Sequence, residues 1–211
     1  MSKLKDVIKA WEEKNQKPAG EATEMKLYYQ NPPIEKMDSS LAVLKNCRHL
    51  SLSTNRIDKI AGLQGLERLE ILSLGRNLIK KIEGLEFVAS TLKQLWLSYN
   101  NIDKLGPVCC CLGLTTLYIS HNNIDKWAEV DRLVALPNLT DLSLIGNPIE
   151  INAGPAYRSE VGRRLPNIRL DGLRIDQEQP AAAAPAEGEG DATATATATG
   201  PATAAAVAGV Q

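Results

Sequence analysis

The chain has 211 residues, 44% of them apolar but with only one Phe and three Trp, so any buried core must be aliphatic. No apolar run approaches the roughly 18 residues of a membrane span, and no basic n-region leads into an apolar h-region, which argues against a spanning or signal-led protein. The net charge of −1 is uneven: residues 177–211 carry four acids and no base, leaving 24 bases against 21 acids over residues 1–176, too weak an excess to argue for nucleic acid.

Residues 1–24 read as an N-terminal capping helix and linker. Ser2 is placed to cap the helix, and Leu4, Val7, Ile8 and Trp11 fall at i, i+3, i+4 and i+7 on one apolar stripe. The following "MKLYYQNPPIEKM" reads as a degenerate repeat, with Leu27, Tyr29 and Ile34 where Leu50, Leu52 and Ile57 fall one repeat later.

Five segments then fit LxxLxLxxNxI in register: Cys47 to Ile57, Leu69 to Ile79, Leu92 to Ile102, Leu114 to Ile124 and Leu139 to Ile149. Their asparagines, Asn55, Asn77, Asn100, Asn122 and Asn147, are spaced by 22, 23, 22 and 25 residues. A period near 22 with about six constrained positions identifies a leucine-rich repeat array over residues 25–154. Each repeat supplies one short strand, the strands stack into a parallel sheet, and the paired leucines fill the core beneath it. Each asparagine amide is expected to satisfy backbone groups inside the stack, a structural ladder. Apolar positions such as Ile57, Ile60, Leu63 and Leu66 recur every three residues, which suits a 3₁₀ or helical return on the convex side.

Residues 155–176 read as the C-terminal cap. A helix is expected from Pro155, burying Tyr157, Val161 and Leu165, followed by a last strand with Ile168 and Leu170. The Ala/Thr-rich residues 177–211, including "ATATATAT", lack the apolar payload to offset ordering entropy and are expected to be disordered. The fold class is therefore an α/β solenoid, a leucine-rich repeat array of 22-residue type with helical N- and C-terminal caps.

Successive side chains of a strand leave opposite faces, so with Leu95 and Leu97 in the core Trp96 must point out onto the sheet. Its row across the array contains Tyr28, Ser51, Ser73, Trp96, Tyr118 and Ser143, with Ile71 diagonal to the two central aromatics. A contiguous aromatic patch rimmed by Ser, Thr and Gln points to a docking surface for protein. Arg76 and Tyr99, each just before a ladder asparagine, extend it at the sheet edge.

Catalytic patterns are missing. His49 and His121, the only histidines, have no triad-like or metal-ligand partners in the sequence and read as solvated or edge-facing, and neither a P-loop nor GxGxxG occurs. Asp58, Asp103 and Asp125, beside Lys59, Lys104 and Lys126, read as solvated loop charges of the repeat consensus. Cys109, Cys110 and Cys111 lack CxxC spacing or a second ligand cluster, and with Cys47, which stands at a leucine position, they read as reduced thiols. No enzyme activity, metal or cofactor is expected.

The stretches "NPPIEKMD", "LSLSTNRIDKI", "LSLGRNLIKKIEGLE", "LWLSYNNI" and "LIGNP", in this order, resemble the axonemal dynein light chain 1 family, the leucine-rich-repeat light chains of the ciliary outer dynein arm. The resemblance covers residues 1–176, including "WEEK" in the N-terminal helix. It departs at "GPVCCCLGL", at "LPNIRLDG" and in the Ala/Thr tail. It implies a non-catalytic, monomeric subunit, in the cytoplasm and cytoskeleton of the ciliary or flagellar axoneme. The implied partner is the stalk microtubule-binding domain of an outer-arm heavy chain, with the microtubule itself as a further candidate and no nucleic acid or membrane. The family docks through its β-sheet face, the face that carries Ile71, Trp96 and Tyr118. Two other uses of such repeats compete, a phosphatase regulatory subunit and a spliceosomal-type adaptor. Both call for a longer array or a strongly charged concave face.

Overall fold

The computed structural model describes residues 3–175. Ser2, expected as a helix cap, and residues 177–211, expected to be disordered, lie outside the described residues. The chain enters through α1 (Leu4–Asn15), with Lys3 at the N-cap position and no capping side chain. Leu4 and Ile8 are buried from α1, and Val7 and Trp11 pack against the same core.

Eight strands follow in chain order: β1 (Glu24–Lys26), β2 (His49–Ser51), β3 (Ile71–Ser73), β4 (Gln94–Trp96), β5 (Thr116–Tyr118), β6 (Asp141–Ser143), β7 (Arg169–Leu170) and β8 (Leu173–Arg174). β1 to β7 pair in parallel, each with its neighbour in sequence. The register sets Met25, Leu50, Leu72, Leu95, Leu117, Leu142 and Leu170 in one file, every member at most 1% exposed. Strands of three residues cannot hold together alone, and stacking their leucines is what makes the sheet stable. The returns are short 3₁₀ turns at Ser39–Val43, Leu85–Phe87 and Gly106–Cys110, and α2 (Trp127–Asp131) running into a 3₁₀ turn at Arg132–Ala135.

The asparagine ladder is built from one bond pattern. Asn100 Nδ2 donates to the carbonyls of Leu74 and Leu97, each at 3.0 Å, while its Oδ1 accepts the Ile79 N–H at 3.0 Å. Asn55, Asn77, Asn122 and Asn147 repeat the donations to their own and the preceding turn. Each Oδ1 likewise accepts from the preceding repeat, Ile34, Ile57, Ile102 and Ile124 being the donors. Interior backbone groups that no strand reaches are thereby paired.

The degenerate first repeat sits two residues away from the register expected of it. Lys26, and not Tyr28, stands across from Ser51, and Met25, and not Leu27, across from Leu50. Tyr29 N–H donates to the Ser53 carbonyl at 3.1 Å, as Thr54 N–H donates to Gly75, so Tyr29 takes the position before the asparagine and is 77% exposed. The cause is length: Tyr29 to Ile34 spans two more residues than Thr54 to Ile57, the surplus lying in the loop "QNPP".

The C-terminal cap also departs from expectation. Pro148 opens a helix, α3 (Pro148–Ala153), Pro155 lies in a 3₁₀ turn at Gly154–Ala156, and the second helix, α4, runs over Tyr157–Arg164. Tyr157, Val161, Ile168 and Leu170 are buried and Leu165 half-buried. β8 folds back antiparallel on β7 and closes the sheet. Asp171, between them, stands in for the backbone carbonyl of a next strand: its Oδ1 accepts from Ser143 Oγ and the N–H groups of Leu144 and Ile145, and its Oδ2 accepts from Tyr157 Oη at 2.8 Å.

Candidate protein-docking site

Strand pairing places Ser73, Trp96, Tyr118 and Ser143 in one row across β3 to β6 on the open face of the sheet. Trp96 and Tyr118 stack with ring centroids 6.0 Å apart and planes inclined by 26°. Adjacent strands lie about 4.8 Å apart, so neighbouring rings in one row meet without moving either backbone. Tyr118 is 38% exposed and Trp96 half-buried, with its Nε1 enclosed and without a hydrogen-bond partner. Ile71 is half-buried in the adjoining row, across from His49 on β2 and Gln94 on β4.

His49 belongs to this surface, which sequence reasoning missed. Its ring meets the edge of Trp96 at 6.0 Å and 67°, its Nδ1 lies 3.0 Å from Glu24 Oε1, and its Nε2 lies 3.4 Å from Ser73 Oγ. The serines of the row are correspondingly shaded, Ser73 to 2% exposure. The signal was available, because His49 stands in the same outward row as Ile71 and Gln94.

A second group lies along the edge where the strands end. Thr54, Arg76, Tyr99 and His121, each just before a ladder asparagine, all have positive φ, between 52° and 60°. The shared backbone aims the side chains alike in successive repeats. The Arg76 guanidinium carbon sits 4.3 Å above the Tyr99 ring, and Tyr99 stacks on His121 at 4.3 Å and 15°. The equivalent residue in the next repeat is Gly146, φ 74°, where a Cβ would come within 2.2 Å of His121 Nδ1, so only glycine leaves room for that ring. His121 is therefore the third member of the Arg76–Tyr99 stack. Its slot before Asn122 matches theirs and was readable in the repeat.

Cys47 and Cys111 are buried, and burial pushes their thiols up to about 11 and about 12. They stay protonated and unreactive at neutral pH. Cys110 and Cys111 place their sulfurs 3.7 Å apart, yet among the described residues no group of three or more His, Cys, Asp or Glu side chains could hold a metal ion. Among those residues no helix is long and apolar enough to cross a membrane. What the open face can do is bind: it offers apolar rings, hydroxyls and one stacked guanidinium to a surface laid across it.

Leucine-rich repeat families match residues 45–86, as two copies, and residues 67–124. The axonemal dynein light chain 1 of Chlamydomonas reinhardtii is 50% identical over 182 residues, 83% of this chain and 92% of its own. The human protein of that name is 48% identical over 182 residues, covering 83% and 96%, and the Danio rerio one 48% over 172 residues, covering 80% and 90%. This chain belongs to the axonemal dynein light chain 1 family. Among solved structures, a Leptospira interrogans leucine-rich repeat protein matches with a TM-score of 0.60 at 24% identity, covering 72% of this chain and 37% of that one. A chain of the Drosophila melanogaster SNF/U2A' complex matches with a TM-score of 0.53 at 24% identity, covering 74% and 87%. These two likenesses show the repeat fold alone. The family is one of dynein light chains, accessory subunits of the axonemal motor.

Proposed function

We propose that the chain is a non-catalytic light chain that docks through its open sheet face on the stalk microtubule-binding domain of an axonemal dynein heavy chain. In that position it alters how the motor engages the microtubule of a cilium or flagellum. The observation that carries this reading is the Trp96–Tyr118 pair, flanked by Ile71 and by the Arg76–Tyr99 stack, on a face whose neighbours are mainly serine, threonine and glutamine. Aromatic side chains with a polar rim are the usual anchors of protein interfaces. Family membership supplies the motor, and the resemblance to the family supplies the stalk domain.

The test is a titration of the full chain against an isolated outer-arm stalk-tip domain. The expected result is saturable binding that is lost or weakened at least about thirtyfold in Trp96→Ala and Tyr118→Ala. Absence of binding by the wild-type chain sinks the reading.

A further inference from the structure

The two edges that flank the aromatic patch use their charges differently. Where the strands begin, charges meet charges: Glu24 Oε1 lies 3.0 Å from both Lys26 and His49, Glu70 3.4 Å from Arg48 and 3.0 Å from Lys93, and Asp141 3.4 Å from Arg169. On the asparagine edge beyond β2 and β3, Arg56, Arg76, Lys80 and Lys81 have no ion-pair partner among the described residues. Glu83 is taken by Lys59 at 3.4 Å, and Lys80 and Lys81 share a surface pocket with Asp103 and Asp125, which leaves Arg76 as the cation beside the aromatic rings.

Arg76 differs from the other three in being held. Its guanidinium carbon sits 4.3 Å over the Tyr99 ring, and Tyr99 is braced in turn by His121 and the space above Gly146. Its N–H groups donate no hydrogen bond among the described residues. A stacked guanidinium keeps its planar fork, so less rotamer freedom is lost when a carboxylate arrives than for a free lysine. The backbone groups of the inner strands are already engaged in strand pairing, so a partner on this face engages side chains and adds no strand.

We infer that Arg76, stacked on Tyr99, is a carboxylate-binding fork: the partner segment that covers Trp96 and Tyr118 sets an Asp or Glu side chain against it. The partner is thereby specified as an apolar ridge flanked on one side by acid, oriented with its acidic side toward the asparagine edge. Fork geometry makes the pair bidentate. The inference rests on the docking reading of this face and deepens it.

The test measures the full chain, as wild type, Arg76→Gln, Arg76→Lys and Trp96→Ala, against the stalk-tip domain at low and high salt. The Arg76→Gln chain is expected to bind about tenfold or more weakly at low salt, with a flattened salt dependence. Arg76→Lys recovers only part of the loss, because an ammonium does not reproduce the fork. Wild-type affinity in Arg76→Gln alongside weak binding in Trp96→Ala overturns the fork and leaves the docking face standing. Wild-type affinity in both removes the docking face as well. A second probe is independent of the heavy chain: a synthetic helical peptide with a Leu and Phe stripe flanked by glutamates, and its glutamine isostere. Preference for the glutamate peptide, abolished in Arg76→Gln, supports the fork. Equal binding of the two peptides, or binding of neither, overturns it.

Discussion

At the scale of single residues, the ladder shows how much one amide can hold. Asn100 makes three buried hydrogen bonds, one within its own turn and two to the preceding repeat, so Asn100→Ala strands the Ile79 N–H, while the Leu74 and Leu97 carbonyls each lose one of two amide donors and keep Asn77 and Asn122. The expected cost is about 1–3 kcal/mol, read as a lowered urea midpoint at unchanged slope. Glu129 is the charged counterpart. It is buried on α2, accepts the Leu105 N–H at 2.8 Å, and faces Arg132 at 3.4 Å and Lys104 at 3.8 Å. Burial by itself raises its pKa, but the Leu105 N–H and the two cations outweigh burial and hold the carboxyl below its ordinary value. A lowered folded pKa means that the stabilisation is present above the unfolded value of about 4.3 and is lost as pH falls through the folded one. Glu129→Gln should therefore cost about 1–2 kcal/mol at pH 7, a deficit that shrinks below about pH 4 in urea melts taken across pH. A deficit independent of pH would show that shape and not charge matters there. Single positions were legible where alternation alone fixed them, as for Trp96. The histidines were legible only through the repeat register, since a lone His carries no spacing of its own, and that register sets His49 against Trp96 and His121 against Tyr99.

At the scale of elements, the repeats were readable and their ends were not, for a physical reason in each case. The β1 register slipped by two because alignment on Ile34 carried the surplus of the "QNPP" loop into the strand. A slip of two preserves which face each side chain takes, so the hydrophobic pattern could not expose the error. At the other end Pro148 and Pro155 both suit the first turn of a helix, and Pro148 opens one, packed against the repeats by the buried Ile149. Asp171 does for the end of the sheet what the carbonyl of a next strand does within it, with a carboxylate that accepts four hydrogen bonds and donates none. Asp171→Ala should cost about 2–4 kcal/mol and loosen β6 with the cap, while Tyr157→Phe, which removes one of the four donors, should cost about 1 kcal/mol. Amide exchange of Leu144 and Ile145 checks this: both should accelerate in Asp171→Ala and stay protected in Tyr157→Phe.

At the scale of the whole molecule, a parallel stack of short strands separates stability from recognition. One face of each strand belongs to the leucine file, and the other is free to vary without opening a cavity. Leu95 and Trp96 are neighbours in sequence on opposite sides of that division, Leu95 fully buried and Trp96 half-buried between His49 and Tyr118. Truncating Leu95 removes core volume and should cost about 2–5 kcal/mol. Truncating Trp96 leaves the core intact and loses the surface it shades and its two ring contacts, an expected cost of about 1–2 kcal/mol. Affinity should run the other way. Loss of a central aromatic anchor weakens docking by at least about thirtyfold, whereas a Leu95→Ala chain that remains folded keeps its surface and binds within a few fold of wild type. The comparison is made on two variants one residue apart, each with a urea midpoint and a dissociation constant for the stalk-tip domain. If Trp96→Ala loses as much stability as Leu95→Ala, the open face is part of the core. If it keeps wild-type affinity, the partner sits elsewhere on the molecule.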